Sequence, residues 1–303
     1  MKISHRAYNS EGDDFKKLCQ FIIADNRVKQ EYFTWSLGRI VDWKYGLWSD
    51  EKRFPTFFRK NAELWLNYFD ELVGFAISEN GDRMFWIFVK EGYAHLYADI
   101  LRWVLDHWSA REGNLLTEMT DIQHAQMYTL EQFGFISKGV CEVTRMFDLR
   151  QQPVSPRLPE GFTIADMAAN NDLMGKATLQ VNAFRNACVM NIDLLAREYV
   201  HESPIYRPEF DLFVLNAQGE HVAGCEAFID DTNGVAEIER VCTRSDYRRR
   251  GLAQAVIHAC FERLRTHGIA TAYITGGNAN TIDLYGKLEH VKAITRIYYE
   301  FAA

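Results

Sequence analysis

A proline-rich segment near the middle of this 303-residue chain constrains its fold more than any other feature. Three of the six prolines lie within residues 153–159. Proline fixes φ and lacks a backbone donor, so such a cluster interrupts both helices and inner strands. We therefore predict an extended linker at 151–160 between two domains, 1–150 and 161–303, each long enough to bury its own core.

The two halves show the same predicted order of elements. Each begins with a strand, followed by one helix in the first half and two in the second. Each then continues through a hairpin and a fourth strand, and ends with helix, strand, helix and closing strand. In the second half the elements that matter most are strands at 235–243 and 271–275 and helices at 250–266 and 280–288. This order predicts an α/β fold in which each half is a mixed, mostly antiparallel sheet flanked by helices.

Two residue pairs indicate an internal repeat. Gly74 and Gly224 lie on comparable strands at an offset of 150, and Tyr93 and Tyr247 precede the long helices at an offset of 154. Supersecondary units that recur at a fixed spacing point to duplication. We therefore expect two tandem copies of one domain.

Composition argues against several classes of function. The net charge of −7 is shared about equally between the halves, which disfavours nonspecific nucleic-acid binding, since that depends on basic residues neutralising phosphates. No apolar run approaches the roughly 18 residues of a membrane span, and the polar start is unlike a signal peptide. The six cysteines and nine histidines show no metal-ligand spacing. We expect a cytoplasmic protein that uses no metal and binds neither membrane nor nucleic acid.

A basic turn follows the strand at 235–243, with the sequence Arg248-Arg249-Arg250-Gly251-Leu252-Ala253. Unpaired amides and the positive dipole end at a helix start favour an anion. Glycine lets the backbone approach a phosphate closely, the small alanine keeps the cleft open, and the arginines add positive charge. The pattern predicts a pyrophosphate cradle.

This turn resembles the Arg/Gln-x-x-Gly-x-Gly/Ala motif of the GNAT (GCN5-related N-acetyltransferase) superfamily. Downstream, residues 278–288 are similar to the family's Asn-x-x-Ala-x-x-x-Tyr-x-Lys-Leu helix, with Asn278 and Tyr285 seven residues apart. The family's Gly-Phe after that helix is replaced by Glu289-His290, so the following turn departs from the pattern. The resemblance covers about residues 160–303. Together with the repeat, it implies two tandem GNAT-like domains, an arrangement similar to that of mycothiol synthase.

The resemblance implies an acetyl-CoA-dependent N-acetyltransferase. In this family acetyl-CoA lies between two splayed strands, its pantetheine arm pairs with the backbone of Val241 and Thr243, and its pyrophosphate is held by the amides of residues 249–253. A backbone amide at 241–243 is expected to polarise the thioester carbonyl. The cofactor-binding residues implied in this way are Val241, Cys242, Thr243, Arg248, Arg249, Arg250, Gly251, Leu252, Ala253 and Asn278.

Acylation of an amine also needs a base for the ammonium proton and an acid for the departing thiolate. Glu237 and Glu239 alternate onto one face of their strand, and Glu237 stands eleven residues before Arg248, where many family members carry their basic glutamate. Glu237 is the first candidate for the base, directly or through water, and Glu239 the second. The alternative for either is a pair with Arg240 or with solvent. The resemblance implies that Tyr285 is the acid, whereas its alternative role is packing.

The first half lacks these residues. The offset of 154 places Ala94, Tyr97 and Asp99 at the cradle positions and Arg83 at the position of Glu237. A bulky tyrosine and an aspartate obstruct and repel a pyrophosphate, and arginine cannot act as a base. We therefore expect a degenerate, non-catalytic copy.

The leading hypothesis is direct attack of a small-molecule amine on acetyl-CoA in a ternary complex. The alternatives are acetylation of a protein or peptide amine, and a non-catalytic acyl-CoA sensor or scaffold. Residues 173–206 are expected to line the acceptor site, with Phe184, Arg185, Tyr199 and Tyr206 as candidates. The chain is expected to be a monomer with an internal pseudo-dimer, or a homodimer.

Overall fold

The computed structural model describes residues 2–29, 35–46, 50–151, 158–185 and 201–301. By contacts the chain divides into two compact units. Unit 1 comprises Met1–Thr144, Gly276–Ile282 and Ile294–Ala303, and unit 2 comprises Arg145–Thr275 and Asp283–Ala293. Most of the predicted linker at 151–160, and Tyr199, lie outside the described residues.

Unit 1 contains strands and helices in the predicted order, apart from two short helices before its second strand that were not predicted. Its strands are β1 (Ser4–Ala7), β2 (Ala62–Leu66), β3 (Leu72–Ile77), β4 (Trp86–Val89), β5 (Leu116–Thr120) and β6 (Phe135–Asp148), the last of which ends in unit 2. Its helices are α1 (Asp14–Lys29), α2 (Leu37–Tyr45), α3 (Pro55–Asn61), α4 (Leu96–Trp108) and α5 (His124–Gln132). Ser36 caps α2, and Pro55 occupies the first turn of α3, where its missing N–H has no intrahelical partner to lose.

Unit 2 contains the second set of elements. They are β7 (Thr163–Asp166), α6 (Leu173–Arg185), β8 (Asp211–Leu215), β9 (His221–Asp230), β10 (Val235–Thr243), α7 (Leu252–Thr266) and β11 (Thr271–Gly276). The chain continues through α8 (Ala279–Gly286), which is divided between the units, to β12 (Lys292–Phe301), most of which belongs to unit 1. A single 3₁₀ turn at Ser245–Tyr247 connects β10 to the approach of α7. The chain passes back into unit 1 within β11 and again within β12.

The sheet of unit 2 has the strand order β11–β10–β9–β8–β7. Its pairs are antiparallel except for β10 with β11, which is parallel. Apolar side chains of α7, including Val256 and Cys260, pack with Ala227 and Ile238 on one face of this sheet. Lys176 of α6 lies against the other face. The mixed α/β class with helices on the sheet is therefore confirmed.

Unit 1 has an antiparallel sheet in the order β1–β2–β3–β4 and further strands in the order β5–β12–β6. The last strand of the chain pairs antiparallel with β5, with Arg296 opposite Thr120 and Glu300 opposite Leu116. The predicted second domain, 161–303, therefore differs from unit 2. Strand β12 pairs along one edge of β5. The sequence could not predict this, because the local pattern of a strand does not specify its partner.

A hairpin turn in unit 1 is held by one asparagine. The Nδ2 of Asn67 donates to Glu71 Oε2 at 2.8 Å and to the hydroxyl of Tyr93 at 3.3 Å. Its Oδ1 accepts from the amides of Phe69 and Glu71. One side chain thus ties the β2–β3 turn to the segment that precedes α4.

The corresponding turn in unit 2 repeats this arrangement. Asn216 Nδ2 donates to Glu220 Oε2 at 2.7 Å and to the hydroxyl of Tyr247 at 2.9 Å. Its Oδ1 accepts from the amides of Gln218 and Glu220. Because the two networks match bond for bond, Tyr93 and Tyr247 are equivalent, and the internal repeat holds at that position.

The glycine pairing predicted from sequence is wrong by one residue. In both units the amide that follows the fourth strand, β4 or β10, donates to a valine carbonyl at 2.9 Å, in the pairs Lys90 with Val73 and Arg244 with Val222. Gly74 is therefore equivalent to Ala223 and not to Gly224. A shift of one residue turns a strand side chain to the opposite face, so only hydrogen-bond register distinguishes the two alignments.

Candidate active site

Strands β10 and β11 separate part-way along their length. They pair only over Val235–Glu237 with Thr271–Tyr273, although β10 continues to Thr243 and β11 to Gly276. The β11-facing edge of β10 beyond Glu237 therefore lacks a neighbouring strand from this pair. An extended ligand can pair with such an edge as an added strand.

A β-bulge lies at the same level of β10. Pairing with β9 shifts between Glu239, opposite Glu226, and Cys242, opposite Gly224. Arg240 lies within the bulge at φ 52°, a left-handed conformation that costs a non-glycine residue on the order of 1–3 kcal/mol. The bulge removes residues 240 and 241 from the ladder with β9 and re-aims the backbone of β10 at this point.

The turn between β10 and α7 contains two residues at positive φ. Arg249 has φ 60° and Gly251, the N-cap of α7, has φ 79°. The first amides of a helix have no intrahelical acceptor, and successive amides in such a turn can converge on an anion. A Cβ added to Gly251 meets no atom within 4 Å, so the space above the turn is open. The turn thus combines two residues at positive φ with open space at the start of α7, and its binding of a pyrophosphate stays a prediction.

Two of the three arginines brace this turn. Arg248 donates to the carbonyls of Thr243 at 3.3 Å and Ala183 at 3.0 Å. Arg250 donates to the carbonyl of Asp246 at 3.2 Å and lies over the ring of Tyr247. Their guanidinium groups remain exposed, so they add positive charge as predicted, but they also fix the shape of the loop.

The other predicted cofactor residues contribute backbone more than side chain. Leu252 and Cys242 are buried in unit 2, while Val241, Thr243 and Ala253 are half-buried. Asn278 lies in unit 1 and caps α8, with Oδ1 accepting from the amides of Asn280 and Thr281 at 3.1 Å each. Contact of Asn278 with the cofactor stays a prediction.

Tyr285 is buried within the core of unit 2. Burial raises the pKa of its phenol, and the nearby carboxylate of Glu239 raises it further. The hydroxyl therefore stays protonated well above neutral pH, which is the state that a general acid needs. The same burial gives the side chain a packing role.

The two predicted base candidates lie on the face of the sheet opposite α7. Glu237 is 3% exposed and sits opposite Phe228, while the half-buried Glu239 sits opposite Glu226. The structure therefore brings Glu239, Tyr285 and the bulge together in unit 2, with Glu237 two residues before Glu239.

Sequence reasoning missed a row of buried acids beside the bulge. Asp211 of β8 lies opposite Glu226 of β9, which lies opposite Glu239 of β10. Lys176 of α6 donates to both Asp211 and Glu226, and Arg240 donates to Glu226 at 2.8 Å. The available signal was a glutamate inside a strand that is otherwise apolar along 222–229, because charged residues are rarely buried without a partner.

Three of the predicted acceptor-lining residues, Phe184, Arg185 and Tyr206, lie within the described residues, and their contact with an acceptor stays a prediction. Phe184 and Arg185 are exposed at the end of α6. Tyr206 is half-buried, and its hydroxyl donates to Asp211 Oδ2 at 2.8 Å. Its ring stacks on that of His201, with the ring centroids 4.2 Å apart. Tyr206 thus adjoins the buried acids that the sequence did not reveal.

The equivalent turn of unit 1 is two residues shorter. Helix α4 begins three residues after Tyr93, whereas α7 begins five residues after Tyr247. The buried positions of the helices then match in the pairs Leu96 with Leu252, Ile100 with Val256, Val104 with Cys260 and Trp108 with Leu264. The offset of 154 is therefore wrong inside the helix, where it becomes 156, and Tyr97 and Asp99 do not stand in for Gly251 and Ala253.

The start of α4 also differs chemically from that of α7. The amides of Leu96 and Tyr97 donate to the carbonyls of Tyr93 and Ala94, so they are not available to an anion. Tyr97 is buried, and Asp99 forms an exposed pair with Arg102. The turn of unit 1 therefore differs from that of unit 2 in length and in the bonding of its amides, and the lack of a phosphate cradle in unit 1 stays a prediction.

Strand β4 has no bulge. Its pairing with β3 runs without a shift from Gly74–Val89 to Ile77–Trp86, so Trp86 stands where Glu239 stands in unit 2. The position of Glu237 then falls on Met84 and not on the predicted Arg83. Neither residue can act as a base.

Neither a metal-binding cluster nor a membrane-spanning helix occurs in the part of the chain that the structure describes. There, no group of three or more His, Cys, Asp or Glu is placed to hold a metal ion. The helices seen in those same ranges are too short or too polar to cross a bilayer.

Comparison with known proteins agrees with this geometry. The family model described as acetyltransferase (GNAT) family matches residues 179–289, which include the bulge, the basic turn and Tyr285. No curated protein matches the chain significantly. Residues 179–289 therefore belong to the GNAT acetyltransferase family.

Solved structures share the fold over nearly the whole chain. A GCN5-related N-acetyltransferase from Sphaerobacter thermophilus is 17% identical, with 99% of this chain and 96% of that one covered at a TM-score of 0.59. A tandem GNAT protein from the clavulanic acid biosynthesis pathway is 11% identical, with 100% of this chain and 99% of that one covered at a TM-score of 0.61. A GNAT-family acetyltransferase from Colwellia psychrerythraea is 14% identical, with both chains covered completely at 0.61. The chain thus has the tandem GNAT fold.

Proposed function

We propose that the protein transfers acetyl from acetyl-CoA to a primary amine of a small molecule, and that the donor site lies in unit 2. One observation carries the proposal. The splayed strands, the bulge at Arg240 and the open turn at Gly251 occur together in unit 2, whereas unit 1 has neither the bulge nor the longer turn. The family assignment of residues 179–289 supports the same reaction class.

Binding of the donor uses mainly backbone groups. The edge of β10 at Val241 and Thr243 takes the pantetheine arm as an added strand. The amides of residues 249–253 take the pyrophosphate at the N-terminus of α7. Arg249 adds charge at this point, while Arg248 and Arg250 hold the turn in place.

The catalytic steps follow from the groups beside the bulge. Glu237 accepts the proton of the acceptor ammonium, directly or through water, and Glu239 is the second candidate for this role. A backbone amide at 241–243 donates to the thioester carbonyl oxygen as negative charge develops there. Tyr285, kept protonated by burial and by Glu239, donates its proton to the departing thiolate. No enzyme nucleophile is needed, so acceptor and donor react in a ternary complex.

Thiol release from acetyl-CoA, measured against a panel of small amines and lysine peptides, tests this function. Calorimetry with CoA is run in parallel on the same protein. We expect CoA to bind and thiol to be released with at least one small amine. Release with peptides alone would replace the small-molecule acceptor by a protein amine. Tight CoA binding without turnover would make the protein an acyl-CoA sensor, and no CoA binding would refute the proposal.

A further inference from the structure

A chain of four buried charges surrounds the bulge of β10. It consists of Lys176, Asp211, Glu226 and Arg240, called here the bulge network. We propose that the bulge network positions the bulge, and with it the backbone amides that polarise the thioester. This inference rests on the proposed function and adds positioning residues to the same site.

An arginine is unusual at the backbone conformation that residue 240 adopts. Its φ of 52° lies in the region that glycine adopts freely and that other residues adopt at a cost. A bulge that needed only this conformation would be better served by glycine or asparagine. The arginine side chain is instead 9% exposed and donates to Glu226 Oε2 at 2.8 Å. The side chain therefore anchors a backbone conformation that is unfavourable by itself.

Glu226 connects this anchor to the rest of unit 2. The same Oε2 also accepts from Lys176 of α6 at 3.3 Å. Burial raises the pKa of Glu226, but the charges of Arg240 and Lys176 outweigh burial and keep the carboxyl ionised. A carboxylate at 1% exposure that lost either cation would be a buried and poorly compensated charge.

Lys176 extends the network to a third strand. It donates to Asp211 of β8, which is 2% exposed and also accepts from the hydroxyl of Tyr206 at 2.8 Å. Arg240 of β10 is thus connected to α6, β8 and β9, each of which supplies one other member of the bulge network. A change in any member is transmitted to Arg240 through Glu226.

Unit 1 provides an internal comparison. Residues equivalent to Asp211, Glu226 and Glu239 by register are Ala62, Ile77 and Trp86. In unit 1 this row of side chains is apolar, and the strand that carries Trp86 runs without a bulge. Within a single chain, the charges and the bulge are therefore present together or absent together.

The bulge network should affect catalysis more strongly than cofactor binding. The amides next to Arg240 act on the carbonyl oxygen as it gains charge, so their misplacement lowers kcat. The turn at Gly251 holds the pyrophosphate by separate backbone groups. Loosening the bulge should thus lower kcat more than the affinity for CoA, because it disturbs only the pantetheine contact at Val241 and not the pyrophosphate site.

Glu226→Gln and Arg240→Ala test the positioning role. Arg240→Gly is included because glycine removes the left-handed strain and so protects folding while still removing the guanidinium. Arg240→Lys restores a cation and serves as a rescue variant. Asp166→Asn is the matched control, because Asp166 forms another partly buried ion pair of unit 2, with Arg263 at 2.6 Å. For each variant kcat, KM, CoA affinity and melting temperature are measured with the full chain.

Infrared spectra of bound acetyl-CoA labelled with ¹³C at the carbonyl report polarisation directly. We expect kcat to fall about 10- to 100-fold in E226Q, R240A and R240G. Their carbonyl stretch should move toward that of free acetyl-CoA, while the CoA affinity should stay within about threefold. R240K should recover part of kcat, and the double variant E226Q/R240A should be little worse than either single one. D166N should change neither kcat nor the stretch.

Two outcomes overturn the positioning role. If the variants melt earlier but keep wild-type kcat and carbonyl stretch, the network only stabilises the fold. If E226Q and R240A multiply their effects on kcat, the two residues do not act through one bulge. A wild-type protein that binds no acetyl-CoA refutes the proposed function and this inference together, whereas normal wild-type turnover with unaffected variants refutes this inference alone.

Discussion

Gly251 and Gly268 form a matched pair for testing the turn before α7. They lie at opposite ends of that helix, at φ 79° and 93°, and an added Cβ at either meets no atom within 4 Å. Alanine at either position is therefore strained but not crowded, at a cost of roughly 1–2 kcal/mol. Each alanine variant should melt a few degrees lower, at about 2–4 °C per kcal/mol for a unit of this size.

Only position 251 should affect the cofactor. A carboxylate about 5 Å from a phosphate charge, at an effective dielectric constant of about 20, is repelled by about 3 kcal/mol. Gly251→Glu should thus bind CoA about 100-fold more weakly than Gly251→Gln, which has the same bulk without the charge. The difference between these two variants isolates electrostatics from volume and backbone strain.

Calorimetry with CoA and thermal melting of the variants provide the measurements. Gly268→Ala should bind CoA like the wild type, although it should melt as early as Gly251→Ala. Wild-type affinity in Gly251→Glu would refute the assignment of the pyrophosphate to this turn. An equal loss of affinity in Gly268→Ala would show that helix stability, and not the anion site, controls binding.

Three further predictions concern the acid, the stoichiometry and unit 1. Tyr285→Phe should lower kcat about 100-fold at unchanged CoA affinity; an unchanged kcat would leave only a packing role. A general acid must be protonated, and the pKa of Tyr285 is raised, so ionisation of Tyr285 should lower kcat only above the pH range in which tyrosine usually ionises. A fall of kcat below about pH 10 that is absent in Tyr285→Phe would contradict this. Calorimetry should give one CoA per chain, and two would contradict the degenerate unit. Arg296→Ala removes the buried cation that pairs with Glu118 at 3.1 Å and with Glu142 at 2.7 Å. Denaturant unfolding should therefore show that the free energy of unfolding of unit 1 falls by about 3–5 kcal/mol. A fall of less than about 1 kcal/mol would refute the buried ion pairs as a source of stability.

Local patterns were sufficient where an element is defined by its own residues. Strand β10 begins and ends as predicted, at Val235 and Thr243, because apolar and polar residues alternate over 236–239 and a turn bounds each end. Helix α7 begins at Leu252, two residues later than predicted, since Gly251 takes a left-handed φ as its cap. Helices α2 and α3 have no counterpart in the predicted order. Both are short, and α3 depends on burying Phe57 and Phe58.

Features that depend on register could not be predicted. The bulge exists only relative to β9, because it is a shift between Glu239 and Cys242 in that pairing. The partner of β12 is β5, far away in sequence. The bulge network joins residues from four elements, and nothing in the sequence near Lys176 indicates Glu226 as its partner. Spacing motifs therefore predict a donor site, whereas the charges of the bulge network can be identified only from the fold.

Hydrogen–deuterium exchange of the full chain, with and without CoA, tests most directly whether unit 2 alone holds the donor. The amides at 241–243 and 249–253 should exchange more slowly when CoA is bound. Those of the equivalent turn in unit 1, residues 90–97, should keep their rates. Protection at residues 90–97, or an absence of protection at 249–253 under saturating CoA, would contradict the assignment of the donor site to unit 2.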